Sequence, residues 1–126
     1  MTMSAILMVE DDPIQMDLYL EVLSPDYHML TAHSISDAIS AIADHAVHAV
    51  GCDYHLIDGS GLELVAWIDT HRPELLARTV LITGELTPPL NGHDVRLLYK
   101  PVPIDTLLGV FEAWSPAPGG AGGCAG

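Results

Sequence analysis

Five short runs rich in apolar residues alternate along this chain with stretches of helical periodicity, and that rhythm limits the fold more than any other feature of the sequence. Parallel strands cannot be joined by a tight turn; each needs a crossover, usually a helix, to bring the chain back. The class expected is therefore α/β. The first run, Ala5 to Val9, is continuously apolar, as a strand covered on both faces must be, and leads into Glu10, Asp11 and Asp12. Asp12 before Pro13 reads as an N-cap with proline at the first helical position, and Ile14, Leu18 and Val22 keep the spacing of one helical face. Ser24-Pro25 stops that helix. Tyr27 to His33 is a second strand; Ser34 or Ser36 caps a helix with Ala38, Ile39, Ile42 and Ala46 on its buried side.

Val47 to Cys52 forms a third strand that ends at Asp53. The turn-forming residues Asp58, Gly59, Ser60 and Gly61 follow, then a helix carrying Leu62, Leu64, Val65 and Ile68 and ending near Arg72-Pro73. Thr79 to Thr83 is the fourth strand. The rhythm then breaks, because Pro88, Pro89 and the Asn91-Gly92 pair oppose a crossover helix and favour turns. A shortened or missing fourth helix is expected. Arg96 to Tyr99 is the last strand, closed by Lys100-Pro101, and Ile104, Leu107, Leu108 and Phe111 mark a final helix. Residues 1–114 read as one domain and the Pro/Gly-rich residues 115–126 as a flexible tail.

Composition removes several classes of function. Four Lys plus Arg against 17 Asp plus Glu give a net charge of −13, so a nucleic-acid backbone or an anionic membrane would be repelled. No apolar run approaches the roughly 18–20 residues that span a bilayer, and no basic segment precedes the first apolar run, which suggests a cytoplasmic protein. The two cysteines, Cys52 and Cys124, cannot build a disulfide framework, and the seven histidines show no zinc-ligand spacing. No Walker or dinucleotide glycine pattern follows the first strand.

In an open parallel sheet, functional groups collect beyond the carboxyl ends of the strands. Glu10 and Asp11, Asp53, Thr83 and Lys100 would all meet there. Crowded carboxylates repel, and oxygen ligands suit a hard dication such as Mg²⁺. With that repulsion offset, one carboxylate can attack a phosphoryl donor, and Lys100 and Thr83 can hold the oxygens of the acyl phosphate.

At these residues the sequence resembles a two-component response-regulator receiver domain: VEDD after the first strand, DYHLIDGSGLEL around Asp53, LITG at the fourth strand and YKPV at the fifth. The resemblance spans residues 5 to about 114. It implies a flavodoxin-like doubly wound sheet of five parallel strands in the order 2-1-3-4-5. It makes Asp53 the phosphoacceptor, places Mg²⁺ on Glu10, Asp11, Asp53 and the backbone carbonyl of His55, and has Thr83 and Lys100 contact the phosphoryl group. Asp12 keeps its capping role. The partners implied are a histidine kinase or phosphotransfer protein and a downstream protein target, with signalling by protein contact and without an independent enzymatic substrate. Either a single-domain protein or a receiver belonging to a longer hybrid kinase fits.

Two features depart from that pattern. Receivers usually carry an aromatic residue three positions before the lysine, where this chain has Leu97; Tyr99 shares its strand parity and is a candidate substitute. The Pro-Pro and Asn-Gly segment stands where a fourth helix usually helps to report phosphorylation. Two alternatives remain: a receiver-like interaction module that is never phosphorylated, and a Mg²⁺-dependent aspartyl-phosphate phosphatase. The second lacks its general acid, because His55 stands where such enzymes place an aspartate.

Overall fold

The computed structural model describes residues 4–85 and 88–114. Its elements are β1 (Ala5–Val9), α1 (Pro13–Leu23), β2 (His28–Ala32), α2 (Ile35–Asp44), β3 (Ala49–Asp53), β4 (His55–Leu56), β5 (Gly59–Ser60), α3 (Gly61–His71), α4 (Pro73–Leu76), β6 (Thr79–Thr83), β7 (Arg96–Tyr99) and α5 (Ile104–Trp114). The main sheet has the order β2-β1-β3-β6-β7, and every neighbouring pair is parallel. This is the flavodoxin-like order expected, with the two-residue strands β4 and β5 set apart as a small antiparallel hairpin after Asp53. Residues 115–126, the proposed tail, lie outside the described residues. No helix among the described residues is long and apolar enough to cross a membrane.

Strand alternation divides the interior into two cores. Leu7, Val9, Val50, Cys52 and Leu81 face α2 and α3, whereas Ile6, Met8, Ala49, Val80, Ile82 and Leu98 face α1 and α5. Since both faces of β1, β3 and β6 are covered, their apolar residues run without interruption, which is why these strands are visible in the sequence.

Helix starts follow their caps. Asp12 accepts from Ile14 N at 3.0 Å with Pro13 in the first turn, Ser34 accepts from Asp37 N at 3.1 Å, and Ser60 forms a capping box with Glu63. Two side-chain expectations are corrected. Ile14 and Leu18 are 77% and 45% exposed; α1 buries Met16, Tyr19 and Leu23 instead. A two-residue offset turns a helix by about 200°, so Ile14 and Leu18 lie opposite the face that packs, while Val22, further round the helix, is partly buried against that core. Ala46 falls beyond the end of α2 and is exposed, because the helix stops at Asp44 with His45 N bonded to Ala41 O at 3.0 Å.

Between β6 and β7 no helix occurs among the described residues. Asn91 and Gly92 take positive φ values of 51° and 82°, and His93 N bonds Leu90 O at 2.9 Å, closing a tight turn of the I′ kind that an Asn-Gly pair favours.

Candidate functional site

The site is assembled from the ends of four strands. Glu10 continues the β1–β2 ladder, its N–H bonding Ala32 O at 3.0 Å, and Asp53 is the last residue of β3, opposite Ile82 in register. Thr83 ends β6 and its carbonyl accepts Lys100 N at 2.7 Å, which holds Lys100 beside the end of β6. The Lys100-Pro101 peptide bond is cis.

These anchors bring the acidic side chains together. Glu10, Asp11 and Asp53 each offer a carboxylate oxygen, and the three lie within 4.8 Å of one another. Glu10 and Asp53 are buried while Asp11 is exposed, so the cluster opens to solvent on the Asp11 side. Lys100 Nζ stands 3.0 Å from Asp53 Oδ1 and 3.9 Å from Glu10 Oε1. Glu10 Oε2 accepts from Asp12 N at 3.3 Å, but Oε1 is buried with no hydrogen-bond partner. Burial, joined by the charge of Asp53, pushes the Glu10 carboxyl up to about 7, against the opposing pull of the Asp12 N–H and Lys100.

A buried carboxylate oxygen with no hydrogen bond, and with Lys100 no nearer than 3.9 Å, beside two further carboxylates is a costly arrangement for a protein to keep, and a hard cation with oxygen ligands satisfies it. The donor set therefore fits Mg²⁺. Asp12 stays outside the cluster and caps α1, as its position before Pro13 indicated.

Thr83 is buried, and its Oγ1 accepts from Glu85 N at 3.0 Å. His55 begins the hairpin two residues after Asp53, and its ring pairs with the Glu85 carboxylate. Gly61 brings α3 close to the phosphoacceptor candidate: a Cβ there would lie 2.4 Å from the Asp53 carbonyl oxygen. Three contacts around the site were not legible in sequence. Asp58 accepts from Ile35 N at 2.9 Å and Ser36 N at 3.2 Å, fastening the hairpin to the start of α2; these N–H groups hold its carboxyl below the usual range. Glu85 joins His55 to the end of β6, and Tyr54 donates its hydroxyl to Pro89 O at 2.6 Å. The partners are 22 to 35 residues apart in the chain, and no local spacing announces them. Cys52 lies fully buried under the site, where burial pushes its thiol well above the ordinary range.

No family model and no curated protein matches the chain. Solved structures do match it. The signal receiver domain of an HD domain-containing protein from Pseudomonas fluorescens Pf-5 is 25% identical with a TM-score of 0.81, covering 90% of this chain and 88% of that one. A CheY-like response regulator receiver domain from Methylobacillus flagellatus is 24% identical, TM-score 0.78, covering 90% of this chain and all of that one. The chain has the fold of a response-regulator receiver domain. A third receiver relative, a response regulator from Thermotoga maritima in complex with Mg²⁺ and BeF, is 23% identical with a TM-score of 0.79 over 90% of this chain and 100% of that one.

Within the receiver fold, β7 places Leu97 opposite Leu81 and Tyr99 opposite Thr83. Leu97 packs against the core beneath α2 and α3, and Tyr99 is 46% exposed.

Proposed function

We propose that the chain is a phosphoacceptor receiver: Asp53 takes a phosphoryl group from a histidine kinase or phosphotransfer protein, and the phosphorylated domain signals by contact with a downstream protein. The observation that carries this reading is the convergence of Glu10, Asp11 and Asp53 within 4.8 Å, with Lys100 3.0 Å from Asp53. Glu10, Asp11, Asp53 and the main-chain carbonyl of His55 would hold Mg²⁺. When bound, the ion supplies positive charge that draws the phosphoryl oxygens toward Asp53 and offsets the carboxylate repulsion.

The residues divide the work of transfer. An Asp53 carboxylate oxygen attacks phosphorus; a P–O bond forms while the P–N bond of the donor phosphohistidine breaks, its electron pair returning to the imidazole, which is left neutral or protonated by solvent. Lys100, already paired with Asp53, turns its ammonium to the phosphoryl oxygens as charge builds on them. Thr83 donates its hydroxyl proton to another. The buried position of Asp53, 8% exposed at the end of β3, keeps the acyl phosphate sheltered while leaving it reachable from the Asp11 side. On this reading the chain is a cytoplasmic signalling module without an independent substrate of its own.

Incubation with ³²P-labelled acetyl phosphate and Mg²⁺ tests the reading. Wild-type protein should take up to one equivalent of alkali-labile label and Asp53→Asn none. Equal labelling of the two proteins, or none in either, refutes it.

A further inference from the structure

One polar contact leaves the phosphoacceptor strand by a route separate from β7. Tyr54 follows Asp53 directly. Its main chain is pinned on both sides, the N–H to Ile82 O at 2.8 Å and the carbonyl to Gly61 N at 2.6 Å. Its ring is buried in the core beneath α2 and α3 with Leu62 and Val95, and Leu90 packs against the same core. From there the hydroxyl reaches outward and donates to the Pro89 carbonyl at 2.6 Å, although Pro89 itself is exposed. A surface segment that has no helix among its described residues is thus clasped by the residue next to Asp53. Its near end is tied as well, because Glu85 N donates to Thr83 Oγ1 at 3.0 Å. Leu97, on β7 at the far side of β6, has no polar group with which to make a competing tie.

We infer that Tyr54 is the positioning residue that reports the state of Asp53 to segment 88–95: its hydroxyl holds Pro89 in the resting chain and releases it when Asp53 carries a phosphoryl group. The inference rests on the phosphoacceptor reading above. The two ties pull on different bodies. Thr83, turning its hydroxyl toward a phosphoryl group, draws Glu85 with it, whereas Tyr54 is fixed to Ile82 and to the start of α3 and cannot follow. Segment 88–95 then leaves the tyrosine, and a single hydrogen bond at an exposed carbonyl is the weakest link between them. The Asn91-Gly92 turn keeps the rest of the segment together as it moves, and the exposed contact of His93 with Asp69 of α3, at 3.3 Å, is given up with the Tyr54 bond. The apolar Leu97 fits this arrangement: the reporting aromatic directly follows β3 and is not on β7.

The test compares wild type and Tyr54→Phe as full chains, following amide exchange at residues 90–95 with and without Mg²⁺ and beryllofluoride, and measuring acetyl-phosphate labelling of each in parallel. In wild type, beryllofluoride should speed exchange at these amides several-fold. Tyr54→Phe should exchange at the faster rate before beryllofluoride is added, gain nothing further from it, and label at Asp53 as wild type does. Pro89→Ala, which keeps the accepting carbonyl, should behave as wild type. A Tyr54→Phe protein that starts faster but still shows the full beryllofluoride increment assigns the hydroxyl a structural role only and overturns the inference. So does a wild-type protein that labels normally with no change in exchange. Wild-type protein that takes no label removes the phosphoacceptor reading, and this inference with it.

Discussion

Glu10→Gln measures how much the site costs the fold. The carboxyl is 1% exposed, one of its oxygens is unpartnered, and its affinity for a proton is raised from 4.5 to about 7 by burial and by Asp53. At about 1.4 kcal/mol for each tenfold change in proton affinity, that rise corresponds to about 3 kcal/mol. The sign follows from proton counting. Between pH 4.5 and 7 the native chain keeps a proton on Glu10 that the unfolded chain has released, so this contribution to stability is full below 4.5 and disappears as pH climbs through 7. Glutamine has no proton to lose. In EDTA, urea unfolding followed by tryptophan fluorescence from about pH 5 to pH 8 should show the variant gaining on wild type, by up to about 3 kcal/mol at the alkaline end. Saturating Mg²⁺ should restore wild type at pH 8, by about 2.7 kcal/mol at a hundredfold excess over its Kd, and help the variant less. Parallel stability curves for the two proteins across this range in EDTA would refute the electrostatic account of the site.

Further substitutions follow from contacts around the site. Gly61→Ala would place a Cβ 2.4 Å from the Asp53 carbonyl, so it should cost about 1–3 kcal/mol in urea unfolding and slow acetyl-phosphate labelling. Gly51→Ala meets the pliable end of Met8 at 2.9 Å and should cost less. Asp58→Ala removes the acceptors of Ile35 N and Ser36 N and should speed amide exchange at both. Because these N–H groups lower the Asp58 carboxyl, its stabilising effect is present above the unfolded value of 3.8 and is lost as pH falls through the lower native one; a carboxyl NMR titration should show that depression shrink in Ile35→Pro, where Ser36 N still donates.

Much of the fold was legible because its signals are local. β6 and β7 have the boundaries expected from Thr79–Thr83 and Arg96–Tyr99, bracketed as they are by Gly84 and by Lys100-Pro101. Asp12-Pro13 and Ser34 set helix starts through bonds two or three residues long. The acids at strand ends were found because a parallel sheet brings those ends together. Orientation was harder. Ile14 and Leu18 have correct helical spacing, but spacing defines a row of side chains and not the direction in which the row points, and the packed face uses Tyr19 beside Met16 and Leu23. The contacts of Asp58 with α2, of Glu85 with His55 and of Tyr54 with Pro89 depend on the path of intervening loops, so they become visible only once the chain is folded. That the described residues between β6 and β7 form no helix was foreseeable from Pro88, Pro89 and Asn91-Gly92, although what holds that segment was not.

Lys100, poised between Glu10 and Asp53, is the only lysine in the sequence. Apart from the chain's own amino terminus, an acylating reagent therefore meets a single amine, and its access to that amine depends on what else enters the space between Glu10 and Asp53. Chemistry has supplied this chain with a built-in labelling handle whose reactivity reads the occupancy of the pocket directly, with no dye attached and no residue replaced.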